Sequence, residues 1–159
     1  MDKQKERDQR IYSKLHLDKL HRKLTYNHFK ELGSAISQFI KYAYNLRKKS
    51  KELTWCFANE KNNKIFFQIF HANEEGLEIY KEEISKNIPE YSYKTIAKII
   101  DEGILKGYYI PLEVDGTPGR DGKVKNIRPS EQLIIDFLNY CLEISHAFDL
   151  MLKNDKTIS

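Results

Sequence analysis

Two cysteines in a chain of 159 residues, Cys56 and Cys141, leave little room for thiol chemistry. With no CxxC and no paired spacing, the zinc-ribbon and thioredoxin-type patterns are excluded, and both residues are expected to be buried core thiols. Histidine is equally unproductive, because His16 and His21 fall off a common helical face and no HExxH follows. The P-loop, GxGxxG and GxSxG patterns are also missing. No motif asks for an enzyme, a metal or a cofactor, and none is expected. The apolar runs are short and broken by charge, and the start MDKQKERDQR lacks the apolar core of a secretory signal, so the expectation is a cytoplasmic protein with no membrane partner. Only four prolines and seven glycines accompany 40% hydrophobic and 31% charged residues, which predicts an ordered, mainly helical chain.

Charge is unevenly distributed. Residues 1–51 hold 14 Lys/Arg against 5 Asp/Glu, whereas residues 52–159 hold 13 against 18. Any attraction to phosphate therefore resides largely in the first third of the chain.

Apolar periodicity outlines the helices. Phe29, Leu32, Ile36, Phe39, Ile40, Ala43 and Leu46 mark one face of a long helix over 27–46, ending in the cations Arg47, Lys48, Lys49 and Lys51. Those cations suit either a helix C-terminus or a phosphate backbone. Ile11, Leu15, Leu20 and Leu24 suggest an earlier helix, and 54–60 reads as a loop or short helix. Ile65, Phe66, Ile69 and Phe70 form a stripe on a short helix ending near 71–73. Leu77, Tyr80, Ile84 and Ile88 suggest another, with Glu74, Glu75 and Glu78 at its positive end.

Between Ser92 and Ser130 the pattern becomes more specific. Pro89 breaks the helix before it, and Ser92 is a suitable N-cap for a helix whose Ile96, Ile99, Ile100 and Ile104 face inward while Tyr93, Lys94, Ala97, Lys98 and Asp101 face outward. Gly107 is the expected stop, with Gly103 as a competitor. Tyr108–Val114 and Lys123–Arg128 read as strands joined by the Gly-, Pro- and Asp-dense tip Asp115–Gly122. A final helix follows Pro129 and Ser130, apolar over more than one face, which predicts burial between several neighbours or between subunits. A helix after a turn, followed by a basic hairpin, is the outline of a winged helix-turn-helix.

The chain resembles the MarR-type winged-helix regulators over roughly residues 28–152. The matching residues are Thr95-Ile96 early in the presumed recognition helix, Lys106-Gly107-Tyr108 at its end, and Asp121-Gly-Lys-Val-Lys-Asn-Ile-Arg-Pro-Ser130, similar to the family's wing strand and the start of the next helix. It departs from the family where Lys123 replaces arginine, where Asp115–Gly122 is longer, and where Gly103 occupies a core leucine position. The resemblance implies a mainly α fold with a small β-hairpin, a winged helix-turn-helix lobe on a helical dimerisation base. Its parts would be a basic, partly helical or flexible segment 1–27, a domain 28–152 with dimer helices 28–50 and 130–152 around a winged helix 54–129, and a flexible tail 153–159.

The function so implied is a homodimeric, sequence-specific regulator of transcription that binds double-stranded DNA. Ser92, Tyr93 and Thr95 would bond phosphates or base edges, and Lys94 and Lys98 phosphates or guanine acceptors. Arg120, Lys123 and Lys125 would serve the wing. Phe29, Ile36, Ile40, Phe137, Cys141 and Phe148 would form the dimer seam. No motif indicates an effector ligand. Two alternatives remain open from sequence: a winged-helix module for protein–protein assembly, which the near-neutral lobe would suit, and a phage- or plasmid-type replication or maintenance protein.

Overall fold

The computed structural model describes residues 3–15, 26–113 and 125–154. In chain order it contains α1 (Lys3–Tyr12), α2 (Tyr26–Arg47), α3 (Lys51–Cys56), α4 (Glu60–Glu74), α5 (Lys81–Asn87), α6 (Tyr93–Leu105), β1 (Tyr109–Glu113), β2 (Lys125–Pro129) and α7 (Glu131–Asn154). The fold is mainly helical with one two-stranded antiparallel hairpin, as the sequence predicts. Two compact units are present, Ala43–His146 on one hand and Met1–Tyr42 with Ala147–Ser159 on the other.

The unit Ala43–His146 contains a dense apolar core. α4 supplies Ile65, Phe66, Ile69, Phe70 and Ala72, the three- and four-residue spacing that puts side chains on one helical face. Leu53 and Cys56 of α3, Ile84 of α5, Ile96 and Ile100 of α6, Tyr109, Ile127 and Leu133 are buried with them. Phe66 lies at the centre, 5.6 Å from Phe70, 5.7 Å from Phe57 and 5.1 Å from Phe137 between ring centroids, mostly in tilted or edge-on arrangements that suit the ring quadrupole.

Local chemistry sets the helix ends. Ser50, Asn59, Ser92 and Ser130 each accept a bond from the backbone N–H three residues on, capping α3, α4, α6 and α7. α4 and α6 stop at Gly76 (φ 67°) and Gly107 (φ 77°), the left-handed conformation that closes a helix. The following N–H groups of Leu77 and Tyr108 reach back to the carbonyls of Ala72 and Gly103.

β1 and β2 pair in register from Tyr109 opposite Pro129 to Glu113 opposite Lys125. Beside them, the Ile127 N–H donates to the Ile79 carbonyl at 2.9 Å, and the Ile79 N–H donates to the buried Asn126 Oδ1 at 2.9 Å. These two bonds fix the α4–α5 connection against β2.

In the other unit, no side chain among the described residues is fully buried. Leu32, Ala35 and Phe39 of α2 are half-buried, whereas Ile36 and Ile40 are exposed. Phe39 meets Phe148 edge-on at 5.7 Å, and Lys30 pairs with Asp8 at 2.7 Å.

Several expectations require correction. Cys141 is exposed on α7, so only Cys56 is a core thiol. Glu74 closes α4 and Glu75 caps it, so neither carboxylate precedes α5, which begins at Lys81. Leu77 is exposed and Ile79 takes the buried place. The reason is backbone conformation: 77–80 is non-helical and Ile79 is bonded to β2, so a helical period does not apply there. The helix around Ile65–Phe70 is also longer than its apolar stripe, starting at the Asn59 cap. Leu20, Leu24 and the hairpin tip Asp115–Gly122 lie outside the described residues.

Candidate nucleic-acid interface

α5, the turn after it and α6 project one face of α6 outward. Ser92 holds an extended conformation (φ −68°, ψ 152°), and its Oγ accepts from the Thr95 N–H at 3.2 Å. The Ser92 and Thr95 hydroxyls are themselves bonded at 2.9 Å. Ile96, Ile100 and Gly103 face the core, which turns Tyr93, Lys94, Lys98, Asp101, Glu102 and Leu105 outward. Tyr93 is 48% exposed and Leu105 88%.

Charge on this outer face is graded along the helix. Lys94 and Lys98 occupy its first half, and neither forms an ion pair with another described residue. Asp101 and Glu102 occupy the second half, and both are engaged: Asp101 pairs with Lys81 of α5, and the Glu102 carboxylate accepts from the Trp55 indole N–H at 3.3 Å. The acidic groups thereby brace the helix at its far end, and the cations face solvent at the near end.

A close contact at Gly103, and the aromatic cluster behind it, seat α6. A Cβ on Gly103 would lie 2.4 Å from the Tyr109 ring and 3.0 Å from Trp55, so glycine is required for the close approach. Tyr109 fills the space that a larger side chain at position 103 would take. Tyr109 Oη lies 4.0 Å from Cys56 Sγ. Burial pushes the Cys56 thiol up to about 12 and the Tyr109 phenol well above its usual value, so both are neutral core groups. Finally, Trp55 packs on Tyr108 and Tyr109 at 5.5 and 5.8 Å.

More cations lie around the start of α6. Lys61 of α4 sits over the Tyr91 ring at 5.2 Å. Lys64 bonds Glu60 and Glu90, and these carboxylates hold its ammonium above the usual range while Lys64 in turn holds the Glu90 carboxyl low. On the hairpin, Lys125 and Arg128 are exposed. Arg120 and Lys123 lie outside the described residues, as do the side-chain surroundings of Phe29.

Ser92, Tyr93, Lys94, Thr95 and Lys98 are thus brought together on one helix, with Ser92 and Thr95 bonded to each other. Of the seam residues, Ile36, Ile40, Cys141 and Phe148 are exposed or largely so, whereas Phe137 packs 4.6 Å from Phe70 within the core of Ala43–His146. Trp55, Glu102, Gly103 and Asn126, which position α6 and the hairpin, carry no motif. Their only sequence trace is that Gly103 interrupts an isoleucine pattern. Among the described residues no cluster of three or more His, Cys, Asp or Glu is placed to hold a metal, and no helix is long and apolar enough to cross a membrane. Compared with family models, curated proteins and solved structures, the chain matches none.

Proposed function

We propose that this chain is a sequence-specific DNA-binding regulator of transcription, acting as a homodimer of winged helix-turn-helix lobes. α4, the Ile79 segment, α5 and α6 make the helix-turn-helix, α6 being the recognition helix, and β1 and β2 form the stem of the wing. The observation that carries this reading is the outer face of α6, where Lys94 and Lys98 are exposed and unpaired among the described residues while Asp101 and Glu102 are tied down at the opposite end. Recognition helices contact base edges through their first turns, so this polarity suits the major groove. Lys125 and Arg128 serve the neighbouring backbone, and the basic end of α2 adds charge.

The dimer is supported by the unit built from α1, α2 and the end of α7, which among its described residues buries no side chain fully and exposes Ile36, Ile40 and Phe148. A second copy would cover that surface. The rival reading is an assembly module whose lobe contacts protein, favoured by the exposed Leu105 at the end of α6 and by Ile110 and Leu112 on β1.

Titration of a pool of genomic fragments at two salt concentrations separates these readings. DNA affinity is expected to fall steeply with salt, as phosphate contacts release counterions. Binding that is absent, or indifferent to salt, would favour the assembly module. Sedimentation at micromolar concentration tests the dimer: the unmodified protein should be dimeric, and Ile40→Asp should be monomeric with its Ala43–His146 core still folded.

A further inference from the structure

We infer that the duplex half-site read by this chain is built around guanine, recognised through the ammonium groups of Lys94 and Lys98; this rests on the DNA-binding reading above. The inference follows from which hydrogen-bonding groups of α6 are left free to meet a base. Ser92 and Thr95 are partly engaged with each other, since the Ser92 hydroxyl caps the helix and bonds the Thr95 hydroxyl. The two carboxylates stand in the second half of the helix, where Asp101 pairs with Lys81 and Glu102 accepts from Trp55. α6 contains no Asn, Gln or Arg. The charged groups of the outer front half are two ammonium groups, beside the phenol of Tyr93, itself 48% exposed.

Such a face is rich in donors and poor in acceptors. Cytosine and adenine present amino donors to the major groove, and no carboxylate or side-chain amide lies on the front half of α6 to accept them. Guanine presents two adjacent acceptors, O6 and N7, and is the base edge a lysine satisfies best. Lys94 and Lys98 stand one helical turn apart on the same face, with Cβ atoms about 6 Å from one another. Bases on one strand rise by roughly 3.4 Å, so the pair spans about two base steps. A short guanine block follows, of one to a few base pairs within each half-site, with the Tyr93 ring beside it.

The experiment selects bound duplexes from a randomised pool with the full chain, then replaces guanine in the recurring block by 7-deazaguanine. That change removes the N7 acceptor and leaves Watson–Crick pairing intact. Affinity is expected to drop about tenfold or more. Lys94→Ala and Lys98→Ala, both solvent-facing substitutions, should show a similar loss on the unmodified duplex and become less sensitive to the replacement. A recurring block without guanine, an unchanged affinity for the 7-deaza duplex, or binding with no sequence preference would overturn the inference while leaving DNA binding in place. Failure to retain any duplex at low salt would overturn the DNA-binding reading, and this inference with it.

Discussion

The unit Ala43–His146 and the unit made of α1, α2 and the end of α7 draw on similar apolar residues and use them differently. Every fully buried apolar side chain among the described residues lies between Leu53 and Leu133, inside the first unit. In the second, the α2 stripe leaves Ile36 and Ile40 exposed, Ile40 by 61%. Apolar periodicity therefore marks two kinds of surface that look alike in sequence: one closed by the chain itself, the other left exposed. A helix with exposed apolar rows gains little from its own chain, because its contribution to stability depends on what packs against it.

The sharpest test of this contrast is a pair of phenylalanine deletions. Phe66→Ala should destabilise Ala43–His146 by about 3–5 kcal/mol, since the ring is fully buried among four others, whereas Phe148→Ala should leave that unit's unfolding nearly unchanged and weaken self-association. Denaturant unfolding followed through Trp55, beside sedimentation, separates the two. Equal losses from both would break the distinction.

Gly103→Ala should cost about 1–3 kcal/mol, because the new methyl would have to displace the Tyr109 ring. The same measurement checks it, and a neutral result would remove the close packing of α6 on β1. In alkali, the raised Cys56 thiol sets the sign. Its folded value of about 12 exceeds the ordinary 9, so its contribution is fully present below pH 9 and is lost as pH rises through 12. Tyr109 acts in the same direction. Unfolding free energies from pH 8 to 11 should decline, less steeply in Cys56→Val. At pH 8 a thiol reagent should modify Cys141 in the folded protein and reach Cys56 only on unfolding.

The smallest expected effect is at the cap of α6. Ser92→Ala should cost about 1 kcal/mol of stability. If its DNA affinity falls far more than this loss explains, the Ser92 hydroxyl contacts DNA as well as capping the helix.

Much of the helical frame was legible because local chemistry and tertiary packing agree. Ser92 caps and Gly107 ends α6, Ile96 and Ile100 are buried, and Ser130 starts α7, each as its residue type predicts. Sequence reasoning failed where a distant partner decides. The non-helical placement of 77–80 depends on Asn126 and Ile127, nearly fifty residues on, and nothing local to Leu77 distinguishes it from a helical position. Gly103 looked like a rival helix stop because its reason for being glycine is Tyr109, on the next element. Cys141 was misplaced because a wide apolar arc on α7 does not say which part the chain itself covers. At the interface, Lys94 and Lys98 were readable as outward-facing, but the engagement of Asp101 and Glu102 needed three dimensions.

Trp55 is the single tryptophan of the chain, and its indole touches Glu102, Tyr108 and Tyr109 at the far end of α6. The protein thus carries its own fluorophore at the seat of that helix, with no competing emitter of its kind. A shift of α6 on binding would alter the indole hydrogen bond and its aromatic surroundings together, and so change emission wavelength and intensity without any added label.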